Sequence, residues 1–252
     1  MHSLNGKVAL ITGAGRGIGA ATALLAARRG WAVCVNYISK ADRAEAVVDQ
    51  IRAAGGKAIA VQADTASEAD VKRLFEAVDA GLGRLTALVN NAGITGRAGR
   101  LETFDAATIR RVLDVSVVGT LLCTQEAVKR MSTKHGGQGG AIVNVSSVAA
   151  QLGGANQWIP YGAAKGAVNS ITTGSAKEFA SEGIRVNAIM PGLIDTEIHV
   201  EAGVGDRLQK VIPQVPMGRI GTAGECAEAI VWLMSGEAAY MTGANLLISG
   251  GR

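Results

Sequence analysis

The chain has 252 residues, of which 48% are hydrophobic, 4% aromatic and 18% charged, and its formal net charge is +4 at pH 7. This apolar content is ample for a buried core, and 34 glycines favour tight turns and close helix–sheet packing over an aromatic-anchored binding surface. The length admits either two small domains or one larger α/β unit.

The positive charge raises the question of a nucleic-acid partner, whose usual footprint is a clustered basic face. Lysine and arginine are instead scattered along this sequence. The densest patch contains Lys129, Arg130, Lys134 and His135, and it is typical of a helix end, where cations suit the helix dipole. We therefore expect no nucleic-acid partner.

The three cysteines, Cys34, Cys123 and Cys226, are odd in number and far apart, and no metal-ligand spacing surrounds them. They are typical of reduced, buried thiols in an intracellular protein, and we expect no bound metal. The first residues lack the pattern of a secretory signal, and no apolar run has the length of a membrane span. The sequence thus predicts a soluble cytoplasmic protein with no membrane partner.

Short β-branched runs that are apolar almost throughout predict parallel strands covered on both faces. The predicted strands are 7–12, 32–37, 57–62, 86–90, 141–146, 184–190 and 245–249. Helical patterns separate them, at 17–29, 41–54, 68–81, 105–133, 160–181 and 223–235. This alternation predicts one doubly wound, Rossmann-like α/β domain over 1–252, with a seven-stranded parallel sheet and helices on both faces.

The strand at 184–190 is followed by about thirty residues without a predicted strand. Loops of that length in compact domains are usually functional lids or binding loops. We expect a substrate lid at about 193–216, past the carboxyl end of a strand where open α/β sheets bind ligands. Residues that could form the walls of its pocket are Gln151, Trp158 and His199.

The first strand runs directly into "TGAGRGIG" at 12–19, before the first helix. Gly13, Gly17 and Gly19 allow a tight turn, a close approach of phosphate to backbone N–H groups, and close helix packing. The loop ends Ile-Gly-Ala and lacks the Gly-Lys-Ser/Thr of kinases and ATPases. It predicts a dinucleotide site, although the loop alone also suits the sulfonium cofactor of a methyltransferase.

The end of the second strand indicates which dinucleotide is bound. An NAD site places a carboxylate there, but this chain has Asn36, Tyr37 and Ser39. A 2′-phosphate could accept a hydrogen bond from Ser39 and pair with Arg16. We therefore predict that NADP(H) is preferred over NAD(H); in the alternative interpretation, Arg16 and Lys40 are merely solvated.

Tyr161 and Lys165 are four residues apart in "IPYGAAKGA", with only small residues between them. On a helix they share one face, so a phenol and an ammonium lie side by side. Taken alone, this pattern also fits a surface helix with a tyrosine packed against a lysine stem.

Several motifs together resemble the short-chain dehydrogenases/reductases over essentially the whole chain. They are "TGAGRGIG", Asp64 after the third strand, "NNAG" at 90–93, Ser147 after the fifth strand, Tyr161-x-x-x-Lys165 and "PG" at 191–192. The resemblance is closest to the 3-oxoacyl carrier-protein reductase and glucose dehydrogenase branches. Spacing this consistent argues against the methyltransferase.

The resemblance implies an oxidoreductase that interconverts a small-molecule carbonyl and alcohol by hydride transfer. Tyr161 would be the acid/base, with its phenol pKa lowered by the Lys165 ammonium and the nicotinamide cation. Ser147, the second serine of "NVSS", would hold the substrate oxygen. Lys165 would also contact the nicotinamide ribose.

The cofactor-binding residues expected from the loop, the second strand and the resemblance lie along the whole chain. They are Gly13, Arg16, Gly17, Ile18, Gly19, Asn36, Tyr37, Ser39, Asp64, Thr65, Asn90, Ala92, Gly93, Tyr161, Lys165, Pro191, Gly192, Ile194 and Thr196. Related proteins pair two helices across a two-fold axis and form tetramers. We expect a homotetramer here, since apolar or small residues recur on those helices at Val117, Val118, Leu121, Ala167, Ile171 and Phe179.

One family feature is absent. The helix after the fourth strand normally carries an asparagine that positions a water near the lysine, and this chain has Ser116 there. We count Ser116 as a candidate catalytic residue, with water completing the relay. The alternative is a catalytically weak or silent protein that binds NADPH as a sensor or scaffold.

Overall fold

The structure is a computed structural model that describes residues 6–196 and 212–252. Its β-branched apolar segments form strands close to the predicted positions. The strands are β1 (Val8–Ile11), β2 (Ala32–Tyr37), β3 (Ala58–Gln62), β4 (Ala87–Asn90), β5 (Gly140–Val145), β6 (Ile184–Pro191), β7 (Ile194–Asp195), β8 (Gly221–Thr222) and β9 (Asn245–Ile248).

Seven of these strands form one sheet in the order β3-β2-β1-β4-β5-β6-β9, and every pairing is parallel. The chain moves outward in one direction from β1 to β3, and then returns to β4 on the other side of β1. The strand order therefore reverses between β1 and β4, and the crevice at their carboxyl ends is where such sheets bind ligands. The predicted fold class is confirmed.

The helices cover both faces of the sheet. They are α1 (Gly17–Arg28), α2 (Ala41–Ala53), α3 (Glu68–Gly81), α4 (Ala106–Leu113), α5 (Gly119–Met131), α6 (Ala149–Leu152), α7 (Ile159–Phe179) and α8 (Ala223–Met234). One buried cluster joins the sheet to α1, α2 and α8, and the other joins it to α3, α5 and α7. These six helices therefore each have an apolar face that packs against the sheet.

The helix predicted over 105–133 is interrupted by a π-helical turn at Asp114–Val118, between α4 and α5. A π turn widens the helix and leaves carbonyl groups that the regular pattern would pair. The Thr120 hydroxyl donates to the Ser116 carbonyl at 2.8 Å, which satisfies one of them. The apolar period of 3.6 residues runs through this turn, so the sequence pattern does not reveal it.

The segment after β6 contains strands where none was predicted. β7 and β8 are two residues each and pair in a separate parallel ribbon. Runs this short carry no recognisable alternation, and their pairing depends on tertiary contact. The predicted lid at 193–216 is described only at its two ends, because 197–211, which include His199, lie outside the described residues.

All three cysteines are buried and free, as expected. In the described parts of the chain, no helix is both long and apolar enough to cross a membrane.

Candidate active site

The glycine loop between β1 and α1 has no room for a side chain at Gly13 or Gly19. A Cβ on Gly13, where φ is +61°, would lie 3.1 Å from the Ala92 Cα, and one on Gly19 would lie 2.6 Å from the Asn91 amide nitrogen. The first turn of α1 carries no acidic side chain, and the N-cap residue Arg16 forms no capping hydrogen bond through its side chain. A glycine cradle at an uncapped helix N-terminus suits a phosphate group.

A polar clamp holds this loop against the segment that follows β4. The Asn91 amide donates to the carbonyls of Thr12 and Gly13 at 2.8 and 3.0 Å. In return, the Thr12 hydroxyl accepts from the backbone N–H groups of Asn91 and Ala92, each at 3.0 Å. Thr12 was not among the predicted site residues, although it opens the quoted "TGAGRGIG".

Asn36 has a structural role that was not predicted. Its side-chain oxygen accepts from the Gly13 N–H at 3.2 Å, and its amide donates to the Ala63 carbonyl at 3.0 Å. The side chain is 2% exposed, so it joins the glycine loop to the end of β3 and is not available to a ligand. Tyr37 is half-buried and Ser39 is exposed beyond it.

The side-chain amide of Asn90 is engaged inside the protein. It donates to the Asn144 side-chain oxygen at 2.9 Å and to the Thr124 hydroxyl at 3.3 Å. The Asn144 amide in turn donates to the Thr172 hydroxyl of α7 at 2.9 Å. This buried ladder runs from α5 through β4 and β5 to α7, and it fixes α7 against the sheet.

The two serines that follow β5 have different contacts. The Ser146 hydroxyl donates to the Lys165 carbonyl at 3.0 Å and so fastens α7 to the strand end. The Ser147 hydroxyl accepts from the Ala149 N–H at 3.1 Å and is hydrogen-bonded to the Tyr161 side chain. Of the two, Ser147 is the one that shares a hydrogen bond with the phenol.

Tyr161 and Lys165 lie on one face of α7, as their spacing predicts. The Lys165 Nζ is 5.6 Å from the centre of the Tyr161 ring and donates to the Val145 carbonyl at 2.6 Å. Lys165 is only 3% exposed, and this burial lowers its pKa from 10.5 to about 8. The alternative of a surface helix, with Tyr161 packed against the stem of an exposed Lys165, is therefore wrong.

The pKa of Tyr161 differs from the sequence expectation. Burial raises it above the ordinary value of 10.0, and the hydrogen bond with Ser147 acts in the opposite direction. The expected lowering by Lys165 is absent in the protein alone, because desolvation of the phenolate outweighs the other influences.

Ser116 lies in the π turn and is fully buried. Its hydroxyl oxygen has no hydrogen-bond partner among the described residues. A Cβ on Gly93 would lie 3.6 Å from this oxygen and 3.3 Å from the Lys165 Nζ, so the absence of a side chain at Gly93 leaves space between the two groups. A buried hydroxyl beside a buried ammonium is a favourable place for a water molecule.

The remaining predicted residues follow β6. A Cβ on Gly192 would lie 2.8 Å from Ser249, so Gly192 permits close contact with the chain after β9. Ile194 is buried in β7. The Thr196 methyl lies 3.4 Å from the position of a Cβ on Gly17, which brings this segment to the first turn of α1. The carboxyl ends of the strands thus bring together the glycine loop, the end of β4, the Ser147–Tyr161 pair and the residues after β6.

These features are typical of doubly wound α/β proteins that bind a dinucleotide at the point where the strand order reverses. The model of the family described as enoyl-(acyl carrier protein) reductase matches residues 13–252. YgfF, an uncharacterized oxidoreductase of Escherichia coli K12, is 49% identical over 97% of this chain and 99% of its own. The 3-oxoacyl-[acyl-carrier-protein] reductase FabG of Staphylococcus aureus Mu50 is 38% identical over 97% of each chain.

Among solved structures, a short-chain dehydrogenase from Burkholderia cenocepacia J2315 in complex with NADP is similar, with a TM-score of 0.91 and 34% identity over 98% of each chain. The chain therefore belongs to the short-chain dehydrogenase/reductase family of oxidoreductases, which use nicotinamide cofactors and act on small molecules.

The burial of Lys165 predicts a pH-dependent stability. Because its folded pKa of about 8 lies below the ordinary 10.5, the unfolded chain binds the extra proton between these values, and this group's contribution to stability rises with pH there. Lys165→Met removes that contribution. The unfolding free energy of the variant minus that of wild type should fall by up to about 3 kcal/mol between pH ~7 and pH ~10, measured by urea unfolding.

Lys177→Met, at an exposed position on the same helix, is the matched control. A difference for Lys165→Met that stays constant with pH, like that of the control, would contradict a buried ammonium of lowered pKa.

Proposed function

We propose that this protein is an NADP(H)-dependent oxidoreductase that interconverts a carbonyl and an alcohol, with Tyr161 as the acid/base. The observation that carries the proposal is the Ser147–Tyr161 hydrogen bond beside the buried Lys165 ammonium. The two hydroxyl groups can hold one substrate oxygen between them, and the ammonium is the nearest cation to the phenol among the described contacts.

The chain's residues fit a nicotinamide dinucleotide, as the glycine cradle and the uncapped start of α1 indicate. When bound, that group supplies or accepts hydride. Gly17 and Ile18 would hold its phosphates, and Asp64 and Thr65 its adenine. The residues that would hold the nicotinamide half are Ala92, Gly93, Lys165, Pro191, Gly192, Ile194 and Thr196.

Tyr161 would give its proton to the substrate oxygen during reduction and remove it during oxidation. The Ser147 hydroxyl would donate to the same oxygen and stabilise the charge that develops there. Lys165 would stabilise the phenolate that Tyr161 leaves, since a cation beside a charged phenol favours its ionised form. Its hydrogen bond to Val145 holds the ammonium at this position while the proton moves.

We further propose that Ser116 supports the proton path through a water molecule. Its buried hydroxyl has acceptor and donor capacity with no partner among the described side chains and backbone. Gly93 leaves the space toward the Lys165 Nζ unfilled. A water there would restore a proton for Tyr161 by way of Lys165.

The cofactor would be NADP(H), because Arg16 is the N-cap of α1 and no carboxylate ends β2. A similar protein was solved with NADP.

The assembly would be a cytoplasmic homotetramer. Two exposed apolar side chains support this assembly, Val118 at 40% and Leu121 at 44% exposure. Phe179 contributes less than expected to such a face, because it packs partly against the core.

The alternative of a protein that binds NADPH without turnover has one structural basis. Ser116 has a single oxygen where the family asparagine has an amide, so the relay to Lys165 depends on water. Binding of NADPH by a chain that turns over no carbonyl compound would favour this alternative.

Tyr161→Phe tests the catalytic assignment. It should lower the turnover of a reducible ketone by about 10²-fold or more, since acid–base catalysis is worth about 10²–10⁴, and it should leave the NADPH dissociation constant nearly unchanged. A panel of ketones and aldehydes, followed by the loss of NADPH absorbance, identifies the substrate and gives the rate.

Tyr240→Phe is the matched control, because Tyr240 is fully exposed. If turnover survives Tyr161→Phe as well as it survives Tyr240→Phe, the assignment of Tyr161 as the acid/base is wrong.

The cofactor preference has its own test. NADPH should bind at least about tenfold more tightly than NADH, because the free energy of one charge-assisted contact to the 2′-phosphate corresponds to a ratio of that size. Arg16→Ala should narrow this ratio, measured by calorimetric titration of both cofactors. Arg28→Ala, at the exposed C-terminal end of the same helix, is the control and should preserve the ratio. Equal affinities in wild type would overturn the preference.

A further inference from the structure

One ion pair at the sheet edge joins two segments that are far apart in sequence. Arg111, in the last turn of α4, places its Nη2 2.9 Å from the Asp64 Oδ2. The two side chains are 41% and 29% exposed. Asp64 lies in the turn after β3, whereas α4 follows β4, so this contact ties that turn to the helix.

The Asp64 carboxylate is held from two directions. Its Oδ1 accepts from the backbone N–H of Ala66 at 3.0 Å, and its Oδ2 faces Arg111. The turn itself is fixed, because the Asp64 N–H donates to the Asp70 carboxylate at 2.9 Å and the Asp64 carbonyl accepts from the Ser67 N–H at 3.0 Å. With both oxygens engaged, the plane of the carboxylate is set.

The backbone just before Asp64 is linked to the glycine loop. Asn36 bridges the Gly13 N–H to the carbonyl of Ala63, the residue before Asp64. The next residue, Thr65, lines a narrow depression that also contacts Ala92 and Gly119. A Cβ on Gly119 would lie 2.9 Å from the Thr65 hydroxyl, so α5 also contacts this turn directly.

We infer that Arg111 is a positioning residue for Asp64 and that it directs the carboxylate toward the amino group of a bound adenine. The inference rests on the dinucleotide site of the proposed function. Each carboxylate oxygen has two lone-pair directions, so an oxygen that accepts from Arg111 or Ala66 can accept a second N–H from the cleft. Fixing the carboxylate before binding removes the entropy that a freely rotating side chain would lose.

Because the Arg111–Asp64 pair is exposed, its role in ligand binding can be distinguished from a role in the stability of the folded protein. Ion pairs that are this accessible to water contribute little to the free energy of folding. Loss of Arg111 should therefore affect ligand binding more than it affects the folded state. It should also affect adenine-containing ligands without altering the chemical step at Tyr161.

The test measures binding of 2′,5′-ADP, which contains the adenine and the 2′-phosphate but no nicotinamide. Arg111→Gln should raise its dissociation constant about fivefold, and Arg111→Lys should recover part of the loss. Arg110→Gln removes the same charge from the exposed neighbouring position and should leave binding within about twofold of wild type. With NADPH as the varied substrate, Arg111→Gln should raise KM and leave kcat at saturation unchanged.

A double-mutant cycle makes the test specific. In an Asp64→Ala background, Arg111→Gln should have no further effect on the dissociation constant, because the group it positions is gone. A fivefold loss that persists there would show that Arg111 acts on the ligand directly, and it would overturn the inference. Equal binding by Arg111→Gln and Arg110→Gln would also overturn it. Failure of wild type to bind 2′,5′-ADP would instead refute the dinucleotide site itself.

Discussion

The hydrogen bond from the Lys165 ammonium to the Val145 carbonyl joins α7 to the sheet. It requires that a cation be kept almost entirely out of water, which is unfavourable unless the surroundings compensate. The compensation comes from a strand-end carbonyl and the nearby Tyr161 ring. The start of α7 is also held by α6, because Gly162 lies against the backbone of Gly153 and Ala149 and leaves no room for a larger side chain there.

Other polar side chains at the carboxyl ends of the strands also hold α7 and the glycine loop in position. The Asn90–Asn144–Thr172 ladder fixes α7 against β4 and β5, so the register of the helix does not depend on Lys165 alone. The Thr12–Asn91 clamp and the Asn36 bridge hold the glycine loop at a set distance from the same edge. Phosphate binding and proton transfer can thus occupy adjacent positions because polar side chains inside the fold connect their supports.

Much of this architecture could be predicted from the sequence. The strand and helix order follows from runs of apolar residues, and the glycine loop is recognisable because it lies between the first strand and the first helix. The roles of Asn36 and Asn90 could not be predicted, since an asparagine near a cofactor motif gives no sign of the direction in which its amide points. The π turn at Ser116 and the β7–β8 ribbon also depend on tertiary contacts that leave no periodic trace.

Burial raises the pKa of the Tyr161 phenol in the protein alone. The proposed role of Tyr161 as acid/base therefore requires a second positive charge beside Lys165, which would lower this pKa toward neutrality. Titration of the phenolate absorbance, as the difference between wild type and Tyr161→Phe, measures this pKa directly. We expect it to lie above the ordinary 10.0 without cofactor and to fall clearly when NADP⁺ is added. A Tyr161 pKa that is already low in the protein alone, or one that NADP⁺ leaves unchanged, would contradict the account.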